Sequence, residues 1–275
     1  MSNGTRSDPA AIGRNPRLLR DFDVRHDTVA RPGHYAAAPV ASTIHLHPTA
    51  PLAERVLLPG DPGRALRLAQ SLLSEPRMFN HNRGLWGYSG AALTDGRPLT
   101  IQSTGMGGPS AAIVIAELAE LGARTLLRVG TCGALTTGRT LGEIVAVRAA
   151  IGADGTSRAL GAERELAGTP ELFARLRGAL GTGSAGVVAV STDLFYDGPA
   201  GAEQEWVGAG AEVVEMETAT LFALGARRGL ATGCLLIVSD LLRPARRRIE
   251  PEALAAAEHE LGQVAARALT DLPDG

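Results

Sequence analysis

The sequence predicts an α/β fold, a single domain with helices on both faces of a mixed β-sheet. Short apolar runs recur along the chain without polar alternation, the pattern of strands covered on both faces. Stretches with helical apolar spacing separate them, which implies three layers, helix over sheet over helix. Glycine-rich turns follow Pro59, Thr104 and Val129 at the carboxyl ends of such runs, the edge at which open α/β sheets bind ligands. No internal repeat or linker divides this domain.

The elements follow in order. Residues 1–43 are rich in Arg, Asp, Pro, Gly and Ala without periodicity and read as a disordered extension; the domain occupies 44–275. Arg55–Pro59 is a strand, and Gly60-Asp61-Pro62-Gly63 a turn opening a helix through Leu73. Leu99–Thr104 is a strand, followed by Gly105-Met106-Gly107-Gly108, with Pro109 suited to a first helical position. The helix Pro109–Leu121 spaces Ala111, Val114, Ile115, Leu118 and Leu121 on one face and stops at Gly122. Thr125–Val129 is a strand and Gly130-Thr131-Cys132-Gly133 a turn. Glu143–Ile151, Gly186–Ser191, Glu212–Glu215 and Cys234–Val238 complete the strands; Pro170–Leu180, Met216–Arg228 and Pro251–Leu272 complete the helices.

Composition narrows the function. A formal charge of −2 argues against a general nucleic-acid binder but leaves a small anionic substrate open. Cys132 and Cys234 both lie in apolar segments and read as buried thiols of a reducing compartment, so a cytoplasmic location is expected. No apolar run approaches ~18 residues, so no membrane-spanning helix is expected, and the N-terminus lacks the apolar core of a signal peptide. No glycine string matches a dinucleotide fingerprint or a Walker loop, so neither NAD nor ATP is indicated.

Three clusters carry candidate chemistry. Arg64, Arg83 and Arg128 accompany glycine turns, where backbone amides and a helix N-terminus favour an anion. Arg128 stands inside the apolar strand Thr125–Val129, which is costly unless the guanidinium is paired. A phosphate held in its fork would pair it, as would a core carboxylate. In Val213-Val214-Glu215-Met216-Glu217, two glutamates flank a methionine at a strand-to-helix junction. They read either as acceptors for paired hydroxyls of a sugar or as first-turn helix charge. In Leu235-Leu236-Ile237-Val238-Ser239-Asp240 an apolar strand ends in a hydroxyl and a carboxyl. Asp240 there reads as a helix cap or as a general acid.

Taken in order, these strings resemble the nucleoside phosphorylase family of hexameric purine nucleoside phosphorylase and uridine phosphorylase. The resemblance runs from about Ile44 to the C-terminus. It rests on Leu58-Pro59-Gly60-Asp61-Pro62-Gly63-Arg64, Arg83-Gly84, Ser103-Thr104-Gly105-Met106-Gly107-Gly108-Pro109-Ser110, Arg128-Val129-Gly130-Thr131-Cys132-Gly133, Glu215-Met216-Glu217 and Ser239-Asp240. The resemblance implies a partly barrel-like sheet. It implies that Gly60, Arg64, Arg128 and Thr131 hold phosphate and that Arg83 reaches the phosphate of a neighbouring subunit. His45, with His47 as the alternative, would cross to a neighbour's ribose. Met216 and Glu217 would hold the ribose with Glu215 assisting; Cys132, Gly133, Phe195, Val214 and Ser239 would border the base; Asp240 would protonate it. Inorganic phosphate is then a co-substrate, with no cofactor and no metal, and the chain is expected to form a homo-oligomer, a hexamer built as a trimer of dimers.

The resemblance also sorts substrates. Uridine phosphorylases carry a Gln-x-Arg element after Phe-Tyr, whereas here Phe195-Tyr196 runs into Asp197-Gly198-Pro199-Ala200-Gly201. Asp240 matches the purine form. A purine nucleoside phosphorylase is therefore expected, with uridine or methylthioadenosine phosphorylase and a non-catalytic nucleoside-binding protein as alternatives. The arginine that assists the acid in the purine enzymes has no counterpart at the family spacing. Arg243, Arg246, Arg247 and Arg248 are read as a solvated basic stretch, with Arg246 or Arg247 as the alternative aid.

Overall fold

Where backbone hydrogen bonding and apolar burial can be met together, the chain builds one mixed sheet closed in part on itself. A computed structural model describes residues 43–162, 165–181, 183 and 185–270, together with Met1. The extension expected over 1–43 thus lies almost wholly outside the described residues, as does Leu272. The described residues from 43 to 270 form one compact unit.

The elements are β1 (Arg55–Leu58), α1 (Pro62–Leu72), β2 (Leu73–Asn80), β3 (Gly87–Ala92), β4 (Pro98–Gln102), α2 (Gly108–Glu120), β5 (Thr125–Ala134), β6 (Ile144–Ala153) and α3 (Gly155–Ala159). There follow β7 (Glu165–Leu166), α4 (Pro170–Leu180), β8 (Val187–Thr192), α5 (Ala202–Gly208), β9 (Val213–Glu215), α6 (Thr218–Arg228), β10 (Ala231–Leu241), β11 (Arg247–Arg248) and α7 (Pro251–Ala268). Local chemistry sets several of these boundaries. Asp61 caps α1 by accepting from the backbone N–H groups of Gly63 (3.1 Å) and Arg64 (2.8 Å). Left-handed Gly181 and Gly229 end α4 and α6.

The strand order is β11-β10-β6-β8-β9-β5-β1-β4-β3-β2, and β10 also pairs with β5. That extra pairing closes β10, β6, β8, β9 and β5 into a five-stranded barrel, as the resemblance implies. Its central pair is parallel, from Ala231↔Thr125 to Leu241↔Ala134, with an irregularity between Val238 and Asp240. Buried faces of α2 and α6 (Val114, Leu118, Leu221, Phe222) pack on one side of the sheet with Leu126, Leu236 and Val238. Those of α1, α4 and α7 (Leu68, Leu176, Leu261) pack on the other with Leu127, Leu235 and Ile237. The alternation of Leu126 with Leu127 and of Leu235 with Leu236 shows strands buried on both faces. Among the described residues no helix is long and apolar enough to cross a membrane.

The structure corrects three expectations. Residues Gly130-Thr131-Cys132-Gly133 are strand, not turn, because β5 continues to Ala134 where β10 and β9 pair with it. Ser239 and Asp240 likewise lie inside β10 rather than beyond its end. The hairpin β2–β3 was not expected, since Leu-Ser-Glu-Pro-Arg-Met-Phe-Asn and Gly-Tyr-Ser-Gly-Ala-Ala carry weak strand preference and are recruited by pairing with β4.

One buried ion pair ties the ends of this unit together. Arg55 on β1 donates to Asp95 in the β3–β4 turn (2.6 and 3.1 Å) and to the Leu269 carbonyl after α7 (2.7 Å). The Arg55 hydrogen bond holds the Asp95 carboxyl below its ordinary value, against the opposing effect of burial. A carboxyl whose folded pKa is lowered stabilises at neutral pH and loses that contribution as pH falls through its folded value. Asp95→Ala is therefore expected to cost about 3 kcal/mol at pH 7, by thermal or urea unfolding. The difference from the parent should shrink as the pH falls through the acid range; a difference independent of pH would contradict the pairing.

Candidate active site

The barrel closure brings the predicted residues to one edge. Register sets Asp240 on β10 beside Gly133 on β5, and Gly133 beside Val214 on β9. Glu215 stands beside Ser191 of β8. The irregularity at Ser239 turns both Ser239 and Asp240 inward, as bulges at functional sites do. Here a cavity of about 800 Å³ opens. Its walls include Gly60, Arg64, Arg128, Thr131, Glu217 and Asp240. The other predicted residues Arg83, Cys132, Gly133, Phe195, Val214, Glu215, Met216 and Ser239 line it too. His45 does not border this cavity.

One end of the cavity is built on close backbone approaches. The loops after β1 and β4 join through Thr104 N–H to Pro59 O (2.9 Å) and Gly105 N–H to Gly60 O (3.1 Å). A Cβ at residue 60 would sit 3.1 Å from the Gly105 carbonyl, so glycine suits the approach. Arg64 is buried in the first turn of α1 and gives Nε to Glu258 (2.9 Å). Its terminal nitrogens make no hydrogen bond among the described residues, and neither is sealed from solvent.

Arg128 is the electrostatic centre. Its Nε donates to Glu215 (2.9 Å), and a terminal nitrogen forms an ion pair with Glu217 (2.6 Å). Burial alone would lower its pKa, but Glu217 and Glu215 outweigh burial and raise it, so it stays charged. Its guanidinium lies over Gly130, where a Cβ would come within 2.8 Å of the guanidinium carbon.

The two glutamates divide their work. Glu215 accepts from Arg128, from Ser191 Oγ, and from the N–H groups of Glu217 (2.9 Å) and Thr218 (3.0 Å). It thereby orients Arg128 and holds the first backbone N–H groups of α6. Glu217 accepts from Gly107 N–H (2.5 Å), pairs with Arg128 and borders the cavity. Burial, seconded by Glu215, pushes the Glu217 carboxyl above its ordinary value against the pull of Arg128, the Gly107 amide and Arg64.

At the far end Asp240 accepts from Ser239 Oγ (2.9 Å) and from Arg246 (3.3 Å). Arg246 also lies over the Phe195 ring, 5.5 Å from its centroid. The basic stretch is thus not wholly solvated surface: Arg246 meets the carboxyl. Arg243 pairs with Glu203 of α5 at 3.4 Å, and Glu203, Trp206 and Leu242 join the wall. These were not legible in the sequence, because an α5 of about two turns after a Gly/Pro-rich run carries little periodicity. Burial raises the thiols of Cys132 and Cys234, the latter to about 12, so both stay protonated.

The residues assigned to a neighbour's site behave differently. Arg83 is exposed, has φ +57°, and borders the cavity of its own chain. His45 Nδ1 lies 2.6 Å from Glu117, which also accepts the backbone N–H groups of His45 and Leu46. Burial would raise the Glu117 carboxyl, but those bonds prevail and lower it. His47 is exposed, and its backbone N–H donates to Asn80.

A barrel-closed α/β sandwich with arginines, glutamates and an aspartate converging on one cleft defines an enzyme-like small-molecule site. The sequence profile of the phosphorylase superfamily matches residues 54–272, and the chain belongs to that superfamily. It is 36% identical over 199 residues to a DeoD-type purine nucleoside phosphorylase from Geobacillus kaustophilus, covering 70% of this chain and 83% of that one. It is 37% identical over 194 residues to a guanosine phosphorylase from Halorubrum lacusprofundi (69% and 79%). It is 35% identical over 205 residues to a uridine phosphorylase from Treponema pallidum (66% and 76%). The crystal structure of purine nucleoside phosphorylase from Toxoplasma gondii in complex with immucillin-H superposes with a TM-score of 0.70 at 26% identity, covering 79% of this chain and 90% of that one.

Proposed function

We propose that the protein is a purine nucleoside phosphorylase, a pentosyltransferase that splits purine nucleosides with inorganic phosphate into free base and pentose 1-phosphate. The supporting observation is that Arg64 and Arg128, Glu217 and Asp240 line one cavity. Phosphate sits against Arg64, Arg128, Thr131 and Gly60; the ribose hydroxyls donate to Glu217 beside Met216. The base lies among Cys132, Gly133, Phe195, Val214 and Ser239.

Charge development dictates the roles. As the glycosidic bond stretches, the sugar becomes cationic, and the phosphate beneath it stabilises that charge before its oxygen bonds to C1′. The bonding electrons pass into the purine, and Asp240 supplies a proton to N7 so that the base leaves neutral. Arg246 stabilises the carboxylate that remains. No protein nucleophile is needed, because phosphate is the nucleophile. The family resemblance supports a homo-oligomer, a hexamer as trimer of dimers, in which His45 and Arg83 serve a neighbouring site. It also supports a cytoplasmic salvage enzyme.

A panel of inosine, guanosine, adenosine, methylthioadenosine and uridine, each with and without phosphate, tests the reading. Base release from a purine nucleoside that needs phosphate is expected; preference for uridine, or binding without turnover, would overturn it. Asp240→Asn is expected to slow inosine cleavage about a hundredfold, and a nucleoside whose base leaves easily far less. Equal losses would reject Asp240 as proton donor. Sedimentation is expected to give an assembly larger than a monomer, and a fully active monomer would contradict the shared-site assignment of His45 and Arg83.

A further inference from the structure

Arg64 owes its aim to a residue far away in sequence. Glu258 of α7 is 4% exposed and shared by two arginines of α1. Its Oε1 accepts from Arg64 Nε at 2.9 Å, and its Oε2 from Arg67 Nε at 3.0 Å and an Arg67 terminal nitrogen at 2.6 Å. Arg64 and Arg67 stand one turn apart on the same helix face. Arg67 is half exposed and is not among the residues lining the cleft. The helices come close enough for this because α7 carries Gly262 one turn after Glu258. A Cβ there would lie 2.5 Å from Leu68 Cδ2.

We propose that Glu258 is the positioning residue of the phosphate site, with Arg67 as the outer charge that offsets the carboxylates around it. This rests on the reading of Arg64 as a phosphate ligand. A guanidinium has five N–H donors in a fixed plane, and holding its Nε edge leaves the terminal nitrogens aimed as one fork. Fixing the fork before the anion arrives spares the ordering cost of a long side chain at binding.

The charge count matters as much as the geometry. Arg128 is faced by both Glu215 and Glu217, so its positive charge is more than compensated. Glu258 alone would likewise cancel Arg64. Arg67 shares that carboxylate and also lies 3.5 Å from Asp61 on the cleft wall, so it keeps Arg64, Glu258 and Asp61 together from carrying a net negative charge beside the cleft. An arginine outside the cleft thereby sets affinity for the anion inside it.

Steady-state kinetics on the full chain tests this with Arg64→Ala, Arg67→Ala, Glu258→Gln and the double variant Arg64→Ala/Glu258→Gln. Glu258→Gln is expected to raise the phosphate KM about tenfold and Arg67→Ala about threefold. In both, nucleoside KM and kcat at saturating phosphate should stay within about twofold. In the Arg64→Ala background, Glu258→Gln is expected to add no further rise, since there is no fork left to aim. A rise in both KM values together, or full additivity in the double variant, would overturn the positioning role and leave α7 packing as the cause. Should Glu258→Gln fail to fold, Arg67→Ala decides alone: an unchanged phosphate KM overturns the proposal. An unchanged phosphate KM in Arg64→Ala would instead overturn the phosphate reading of Arg64 itself.

Discussion

A buried guanidinium with a carboxylate on each side organises this molecule. Arg128 rises from the middle of an apolar strand, where an unpaired charge would not be tolerated. Glu215 and Glu217 pair it, and the same two carboxylates tie β9 to α6 and α6 to the glycine loop before α2. Removing the guanidinium would leave two carboxylates without their cation in the core, a defect of about 3–5 kcal/mol in comparable cases. Fold and site thus share one electrostatic knot. The strand must carry glycine at 130 for the guanidinium to lie flat, and the sheet must close for β9 to bring its glutamate there.

Barrel closure explains why the site sits at one edge. An open sheet would place β10 beside β6 and leave Asp240 remote from Val214. Pairing β10 with β5, and β5 with β9, aligns Asp240, Gly133 and Val214 side by side. Arg64, Glu217 and Asp240 all line the cleft that results, where the proposed anion, sugar and base subsites lie. The arrangement divides labour between buried groups that hold charge in place and cleft-facing groups left free to meet a ligand.

Much of this was legible in the sequence where local signals are strong. The helix Pro170–Leu180 is found at its expected bounds, and Asp61 caps α1 where the Gly-Asp-Pro-Gly turn predicts a helix start. Of the candidate site residues, all but the histidines border the cleft. What escaped depends on contacts between distant segments. Gly130–Gly133 read as a turn because glycine lowers local strand preference, while pairing on both sides overrides it. The bonds of Glu215 to Ser191 and Thr218 join β9 to β8 and α6, and its neighbours in sequence do not announce them. Arg246 could not be told from its neighbours by composition, since the turn that aims it at Asp240 is set by β11 folding back on β10. Glu258, on a helix near the C-terminus, bears no local mark of its contact with Arg64.

The central claim is that Arg64 and Arg128 hold one oxyanion beneath a sugar whose hydroxyls reach Glu217. A crystal structure with phosphate and a nucleoside analogue bound tests it most directly. The account predicts a single phosphate about 3 Å from both guanidinium groups, with the sugar hydroxyls on Glu217. A phosphate bound elsewhere, or both arginines wholly occupied by protein carboxylates with the nucleoside in place, would contradict it.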